Sequence, residues 1–185
     1  MNEVLKTIAA RRSVRKFKRK QIKDSELMSI IEAGLQAPTA HNDQSCYFTI
    51  IQDKALIDEI NRGSKIEMSL SDIDWVVKAG KNEKLHIFYN APTVIIVSGR
   101  KDAVSPFADV CIAIENMLIA AESLNIGSCW IGFAKYFFND IENLSKVPIP
   151  DGYEPCYGVS LGYKPENLKL ERPERKYKEY YTIIK

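Results

Sequence analysis

Seven of the ten residues in RRSVRKFKRK, positions 11–20, are arginine or lysine. Guanidinium groups bind phosphate or carboxylate through paired hydrogen bonds, and a serine hydroxyl adds a short donor. The residues of this segment that could clamp one compact anion are Arg11, Arg12, Ser13 and Arg15. A basic solvated turn, a nucleic-acid arm and a membrane-surface patch would have the same local composition. These residues alone therefore leave the chemistry open.

The distribution of charge along the chain narrows these alternatives. The net charge of the 185 residues is only +2. Positions 1–20 contain eight Lys or Arg and one Glu, which gives +7 and leaves −5 for the remaining 165 residues. Proteins that hold a long nucleic acid are usually basic over a whole face, because many phosphate contacts are needed. The short basic segment favours a compact anion or a solvated surface, and we expect a solvated surface for Lys16, Lys18, Arg19 and Lys20.

Two further segments contain residue types that suit a planar heterocycle. APTAHNDQ at 37–44 places Asn42 and Gln44 two residues apart, and an amide can match a ring edge that has adjacent N–H and C=O groups. GSCWIGF at 127–133 contains Gly132, where the missing side chain would let backbone N–H groups approach a ring. When each segment is considered alone, an ordinary structural role explains it at least as well as ligand binding does. The first could be a helix-terminating loop and the second a buried strand with a bulge.

Several kinds of site are disfavoured by the sequence. His41 and His86 are far apart, which argues against a hydrolytic triad or a metal site. The four cysteines form no CxxC pair and are expected to be mostly buried free thiols. GxGxxG, GxxxxGK[ST] and GxSxG are all missing. The chain has neither a secretory signal pattern nor an apolar stretch of membrane length, so we expect a cytoplasmic protein.

Hydrophobic periodicity predicts the elements that must position these residues. Helical spacing predicts helices at 4–8, at 24–35 with Asp24 as N-cap and Pro38 as stop, at 54–61, at 107–124, and after Asn139 with Glu142 in a capping box. Aromatic and β-branched runs predict strands at 46–51, 93–98, 128–133 and from 155, with 93–98 in the middle of the sheet. Residues 62–90 are polar and have no predicted core element.

In their order along the chain, these motifs resemble those of the nitroreductase family of flavoproteins. The resemblance rests on RRSVR, APTAHNDQ, NAPTVIIVSG, AIENMLIAAESLNIGSCWIGF and GVSLGYKPE, and it extends over nearly the whole chain. It implies one α+β domain over 1–185, with a central, mostly antiparallel sheet flanked by helices. It also implies an intertwined homodimer with non-covalent FMN at the interface. Residues 62–90 would form a lid or excursion, and 172–185 a C-terminal arm on the partner.

The resemblance assigns FMN contacts to particular residues. Arg11, Arg12, Ser13 and Arg15 match the segment on the ribityl phosphate and the pyrimidine side of the ring. The segment that reaches the flavin of the other subunit is matched by Pro38, Thr39, Ala40, Asn42 and Gln44. Ile131 and Gly132 match the loop at the N5 and O4 edge, although WIGF lacks the acidic residue or second glycine of many relatives. A further phosphate ligand is expected at Arg175, with Arg172 and Lys176 as alternatives.

The implied activity is that of an NAD(P)H-dependent flavin oxidoreductase. NADH or NADPH would give hydride to flavin N5 and leave, after which a nitro compound, a quinone or a related electron-poor acceptor would take the electrons. The cofactor carries such chemistry, so neither a catalytic side chain nor a metal is expected. The alternatives within the superfamily are reductive dehalogenation, azoline dehydrogenation and flavin cleavage. Outside it, an inactive flavin-binding protein and a nucleic-acid-binding protein using the basic segment remain open.

Overall fold

The computed structural model describes residues 1–171, Glu174 and 180–185. Its helices are α1 (Glu3–Ala10), α2 (Asp24–Leu35), α3 (Lys54–Ser69), α4 (Asp74–Lys81) and α5 (Pro106–Ser123). Its strands are β1 (Cys46–Ile51), β2 (Thr93–Arg100), β3 (Ile126–Ile131) and β4 (Tyr153–Tyr163). Short 3₁₀ segments lie at Ala40–Asn42, Gly132–Asn139 and Ile141–Lys146.

The four strands form one antiparallel sheet in the order β1-β2-β4-β3. The first seven residues of β2 are all buried, since this strand has neighbours on both sides and helices over both faces. The prediction of an interior strand at 93–98 is therefore confirmed. Between Val97 and Ser98 the pairing with β4 shifts register, so Cys156 has no partner of its own in β2.

Two apolar layers cover the sheet. On one face, α2 and α5 bury their apolar sides, with Ile30, Ile114 and Met117 fully enclosed. On the other face, α3 and α4 do the same through Ile60, Met68 and other residues. The result is a layer of helices on each side of a central antiparallel sheet. The predicted α+β class, with a mostly antiparallel sheet flanked by helices, is confirmed.

The segment at 62–90 differs from the sequence-based expectation. Helix α3 continues to Ser69, and α4 follows after a short connection. Met68, Ile87 and Phe88 are at most 1% exposed, so this segment contributes to the core. Its apolar residues are separated by Lys, Asp and Glu on the solvent side of the helices. The average polarity of the segment is therefore high, although its apolar residues keep a helical spacing.

Two predicted helix starts lie elsewhere in the structure. The N-cap of α2 is Lys23, and Asp24 is the first helical residue. The positive end of the helix dipole stabilises the negative charge of Asp24 at this position. The region after Asn139 forms only the 3₁₀ segment Ile141–Lys146, and the side chain of Asp140 accepts the backbone N–H of Glu142. An Asx-type cap at Asp140 thus replaces the expected capping box at Asn139.

None of the helices within the described part of the chain combines the length and the apolar character needed to cross a bilayer. Near the C-terminus, Tyr180, Tyr181, Ile183 and Ile184 are strongly exposed, Ile184 to 94%. In the single chain these apolar side chains have almost no cover.

Candidate functional site

The basic segment after α1 runs along the outer edge of β3. The backbone N–H of Val14 donates to the carbonyl of Ser128 at 2.8 Å, and Ser13 forms a parallel bridge with Ser128. Val14 is completely buried. A Cβ at Gly127 would lie 2.8 Å from Cγ1 of Val14, so a side chain at Gly127 would push the segment away from the sheet. The glycine therefore allows the basic segment to dock.

The extended backbone directs alternate residues to one side, as in a strand. Arg11, Ser13 and Arg15 all lie close enough to Cys129 of β3 to influence its thiol. Burial raises the pKa of the Cys129 thiol, while Arg15, a hydrogen bond from Ser13 and Arg11 act in the opposite direction. Three of the four predicted anion-binding residues are thus brought together beside one strand.

Arg12, the fourth predicted residue, points away from this cluster. Its Nη1 donates to the carbonyls of Ala9 at 2.9 Å and Arg11 at 2.6 Å, where it caps the C-terminal end of α1. Arg11 is also partly engaged, with Nε 3.5 Å from a carboxylate oxygen of Glu115. Arg15 has a different environment, with its guanidinium 5.8 Å from the ring centroid of Tyr89. Of these three arginines, Arg15 is therefore the most available to a ligand.

The end of β3 adds an open stretch of backbone to this cluster. Ile131 is buried against the sheet, whereas Gly132 is exposed and begins a 3₁₀ segment. A Cβ built at Gly132 would meet no atom within 4 Å. The backbone here faces free space, two to three residues along the chain from Cys129 and its cationic neighbours. Both predicted residues of this loop therefore lie in the same region as Arg15.

An aromatic group borders the open backbone. The ring of Trp75, on α4, lies 5.8 Å from the ring of Phe133, and Phe133 lies 6.5 Å from Tyr136. Trp75 is 63% exposed although it packs against Phe133. Helix α4 thus brings an exposed indole next to the residue that follows Gly132. The polarity pattern of 62–90 gives no sign of this placement.

The loop at 37–44 is held in an unusual backbone conformation. His41, Asn42 and Gln44 have φ angles of 54°, 58° and 47°, in the left-handed region that non-glycine residues adopt at some cost. The N–H of Gln44 donates to Oγ1 of Thr39 at 3.0 Å, which closes the loop. The exposed amides of Asn42 and Gln44 lie on its outer surface.

A buried carboxylate anchors this loop. Asp109, in the first turn of α5, is 2% exposed and accepts the N–H of Ala40 at 3.2 Å and the hydroxyl of Ser45 at 2.6 Å. The positive end of the helix dipole favours a negative charge at this position. Arg100 adds a bond from Nη1 to the carbonyl of Asp43 at 3.1 Å. Asp109 was missed from the sequence, where it is one of three carboxylates in a mostly apolar helix, with Glu115 and Glu122, and no local pattern distinguishes it.

The two halves of the predicted site lie at opposite edges of the sheet. The 37–44 loop leads into β1, whereas the basic segment lies beyond β3. Four interstrand spacings separate these positions, which amounts to about 19 Å at about 4.8 Å per spacing. One chain therefore brings Arg11, Ser13, Arg15, Ile131 and Gly132 together but leaves the loop residues Pro38, Thr39, Ala40, Asn42 and Gln44 apart. Arg175, with its alternatives Arg172 and Lys176, lies outside the described residues.

Comparison with known proteins places this arrangement in a family. The structure matches a nitroreductase with bound FMN from Bacteroides fragilis NCTC 9343 with a TM-score of 0.92, at 36% identity and full coverage of both chains. It matches a second FMN-bound nitroreductase, from Desulfitobacterium hafniense DCB-2, with a TM-score of 0.86 at 27% identity, again with full coverage of both.

Sequence comparisons agree with the structural ones. The NADPH-flavin oxidoreductase of Vibrio harveyi is 27% identical over 179 residues, which cover 92% of this chain and 70% of that protein. The family model described as "Nitroreductase family" matches residues 8–163, which include the docked basic segment, the 37–44 loop and all four strands. With 156 of 185 residues matched, the chain belongs to the nitroreductase family.

Proposed function

We propose that this protein is an FMN-dependent NAD(P)H oxidoreductase that reduces small electron-poor acceptors such as nitroaromatic compounds or quinones. The observation that carries the proposal is the cluster of Arg11, Ser13 and Arg15 beside the open backbone at Gly132. Two cations and a hydroxyl suit a phosphate and the electron-rich side of a flavin. Free space at Gly132 suits the close approach of a planar ring, so the residues present fit FMN.

Each part of the site has a distinct task in this proposal. Arg15 and Arg11 supply positive charge, and Ser13 supplies a short donor. The backbone at Ile131 and Gly132 offers N–H groups to the ring edge. FMN, when bound, supplies the hydride-transfer chemistry between the nicotinamide and the acceptor. The protein itself positions the reactants and balances charge, which requires no nucleophilic side chain.

We propose that the working form is a homodimer, with the 37–44 loop of one subunit completing the site of the other. The separation of the loop from the basic segment supports this, since one chain cannot place both on one ligand. Helix α1 supports it as well: none of its residues is buried, yet Val4, Leu5 and Ile8 are apolar. Phe107 on α5 is another exposed apolar side chain, and the C-terminal residues are apolar and exposed too.

Anaerobic reduction of the purified protein tests the activity directly. We expect a yellow protein, or an apoprotein that takes up FMN, whose flavin absorbance is bleached by NADH or NADPH. An electron-poor acceptor should restore the absorbance, since hydride transfer into and out of the flavin are separate steps. Turnover of nitro, quinone and halogenated substrates should be compared to identify the acceptor class. A colourless protein that takes up no FMN would contradict the proposal.

Mutation of α1 tests the dimer. We expect sedimentation to give twice the chain mass of 21.0 kDa for the wild type. The double variant Leu5→Glu, Ile8→Glu should be monomeric and should bind FMN weakly, because it places charges on the proposed interface. Since α1 contains no buried residue, each chain should stay folded. The matched control is Ile66→Glu, Ile141→Glu, at two other exposed apolar positions. A dimeric Leu5, Ile8 variant with normal FMN affinity would count against this interface.

A further inference from the structure

His86 caps a tight turn between α4 and β2. Its Nδ1 lies 3.2 Å from the backbone nitrogen of Phe88 and 3.4 Å from that of Asn90, both of which donate to it. Tyr89 and Asn90 have φ angles of 55° and 54°, so two successive non-glycine residues are left-handed. Such residues are sterically strained and persist only where neighbouring groups hold them. The imidazole is one of the groups that hold this turn.

The hydrogen bonds define the protonation state of the ring. Because two N–H donors point at Nδ1, this nitrogen must carry a lone pair. The single proton then lies on Nε2, which is 3.4 Å from a carboxylate oxygen of Asp58 on α3. Asp58 also pairs with Lys54 one turn earlier. His86 therefore acts here as a neutral tautomer, and a second proton on Nδ1 would face two N–H groups that have no other acceptor in the turn.

The capped turn forms one wall of a cleft that shares Arg15 with the proposed flavin site. The opposite wall is the basic segment, and the ring of Tyr89 lies 5.8 Å from the guanidinium carbon of Arg15. Arg15, Tyr89 and His86 all line this cleft, which has a volume of about 470 Å³. Contact of a guanidinium with an aromatic face is attractive and favours one orientation of the arginine. A chain of contacts thus runs from Asp58 through His86 and Tyr89 to Arg15.

We propose that His86 is a positioning residue for flavin binding: in its neutral form it holds the 86–90 turn, and through Tyr89 it orients Arg15 towards the cofactor. Protonation of His86 opens the cap and lowers the affinity for FMN. The inference rests on the proposed function, since it takes Arg15 as a ligand of the flavin. It gives a task to a histidine for which the sequence suggested none.

The electrostatic surroundings set the pH range of this effect. Burial lowers the pKa of His86 below its ordinary value of 6.5, while Asp58 raises it and Lys54 and Lys65 lower it further. The other charged side chains around the two clefts that His86 lines are Arg15, Lys16, Arg19 and Lys84. Cations therefore outnumber the one carboxylate, which opposes the imidazolium form. Since the folded pKa lies below 6.5, the neutral imidazole and its cap persist at pH 6.5 and above, and the cap is lost only as the pH falls through this lowered pKa.

Titration of apoprotein with FMN at several pH values tests the inference. The probe is the quenching of flavin fluorescence from about pH 5 to pH 8, where histidine titrates. His86→Asn is the informative variant, because Oδ1 of asparagine takes the place of Nδ1 and cannot be protonated. We expect wild-type affinity to fall by tenfold or more towards pH 5, beyond the change in His86→Asn. His86→Ala should bind FMN about tenfold more weakly than the wild type at pH 8, and the two should converge towards pH 5, where the wild type loses the same cap.

The comparison between variants separates the effect of His86 from other causes of pH dependence. The phosphate of FMN titrates near pH 6, as phosphomonoesters do, but it does so equally in every variant. Tyr89→Leu should weaken FMN binding as His86→Ala does, and the double variant should be little worse than either single one. Circular dichroism should show that all variants are folded at pH 8.

Each alternative outcome has a clear meaning. A folded His86→Ala variant with wild-type affinity at pH 8 would overturn the positioning role and leave the proposed function intact. The same conclusion would follow if His86→Asn lost affinity in acid as much as the wild type. A wild-type protein that takes up no FMN at any pH would overturn the proposed function and this inference together.

Discussion

Replacing Arg11 and Arg15 together by alanine is expected to weaken FMN binding by at least about a hundredfold. Hydrogen bonds to charged groups contribute roughly 1.5–3 kcal/mol each, and both side chains lie beside the same strand. Arg15 should account for the larger share, since Arg11 must leave its contact with Glu115 to reach a ligand. Fluorescence titration of the apoprotein with FMN measures the effect, and each single variant shows its own share.

The matched control removes the same charge from the same segment. Lys18 lies 2.9 Å from Glu166, and Lys20 lies over the ring of Tyr163, so both side chains are away from the cluster beside Cys129. Lys18→Ala, Lys20→Ala should therefore bind FMN nearly as the wild type does. Equal losses in the two double variants would mean that general charge, and not a clamp, determines the affinity. Unchanged affinity in the Arg11, Arg15 variant would refute the assignment.

Replacing Asp109 by alanine is expected to lower both stability and FMN affinity. The change leaves the buried hydroxyl of Ser45 and the N–H of Ala40 without their acceptor. Each unpaired group costs about 1–3 kcal/mol, so the free energy of unfolding should fall by about 2–6 kcal/mol. For a chain of this length the thermal midpoint should fall by roughly 5–15 °C. The loop at 37–44 also loses its anchor, which should weaken FMN binding in the dimer.

Two further variants separate the hydrogen bonds from the charge. Asp109→Asn keeps one oxygen for Ala40 and gains an amide that can donate to Ser45, so most of the stability should return. Asp151→Ala removes a carboxylate from an exposed turn and should change little. Differential scanning calorimetry and FMN titration measure the two effects. A thermal midpoint for Asp109→Ala within a degree or two of the wild type would contradict the anchoring role.

Elements with an uninterrupted pattern could be predicted well from the sequence. Helix α5 has apolar residues at helical spacing over its full length, and β2 is a nearly continuous β-branched run, so each pattern indicates one type of element. Helix α4 could not be predicted, because it buries only Val76 and Gly80 and gains most of its stability from packing on α3. A Cβ at Gly80 would lie 2.8 Å from backbone atoms of α3, so a small residue marks that contact.

The candidate site was predictable only where neighbouring residues act together. The resemblance named Arg11, Ser13 and Arg15, and the extended backbone brings them to one side. It did not distinguish Arg12, whose direction depends on the carbonyls at the end of α1. Asp109 holds a loop that is distant in sequence. His86 holds backbone N–H groups of its own turn. Such roles have no local pattern, because they arise from how the sheet and helices pack.

The docking of the basic segment on β3 also affects how the protein behaves at high concentration. A terminal strand offers unpaired N–H and C=O groups, and such an edge can add strands from other chains and start aggregation. Here the bond from Val14 to Ser128 covers part of that edge, and the arginines and lysines around it repel a second copy of the same segment. Mutations that detach the segment, for example at Gly127, would therefore expose a self-associating edge as well as disturb the site. Loss of colour in such a variant should be interpreted together with its tendency to precipitate.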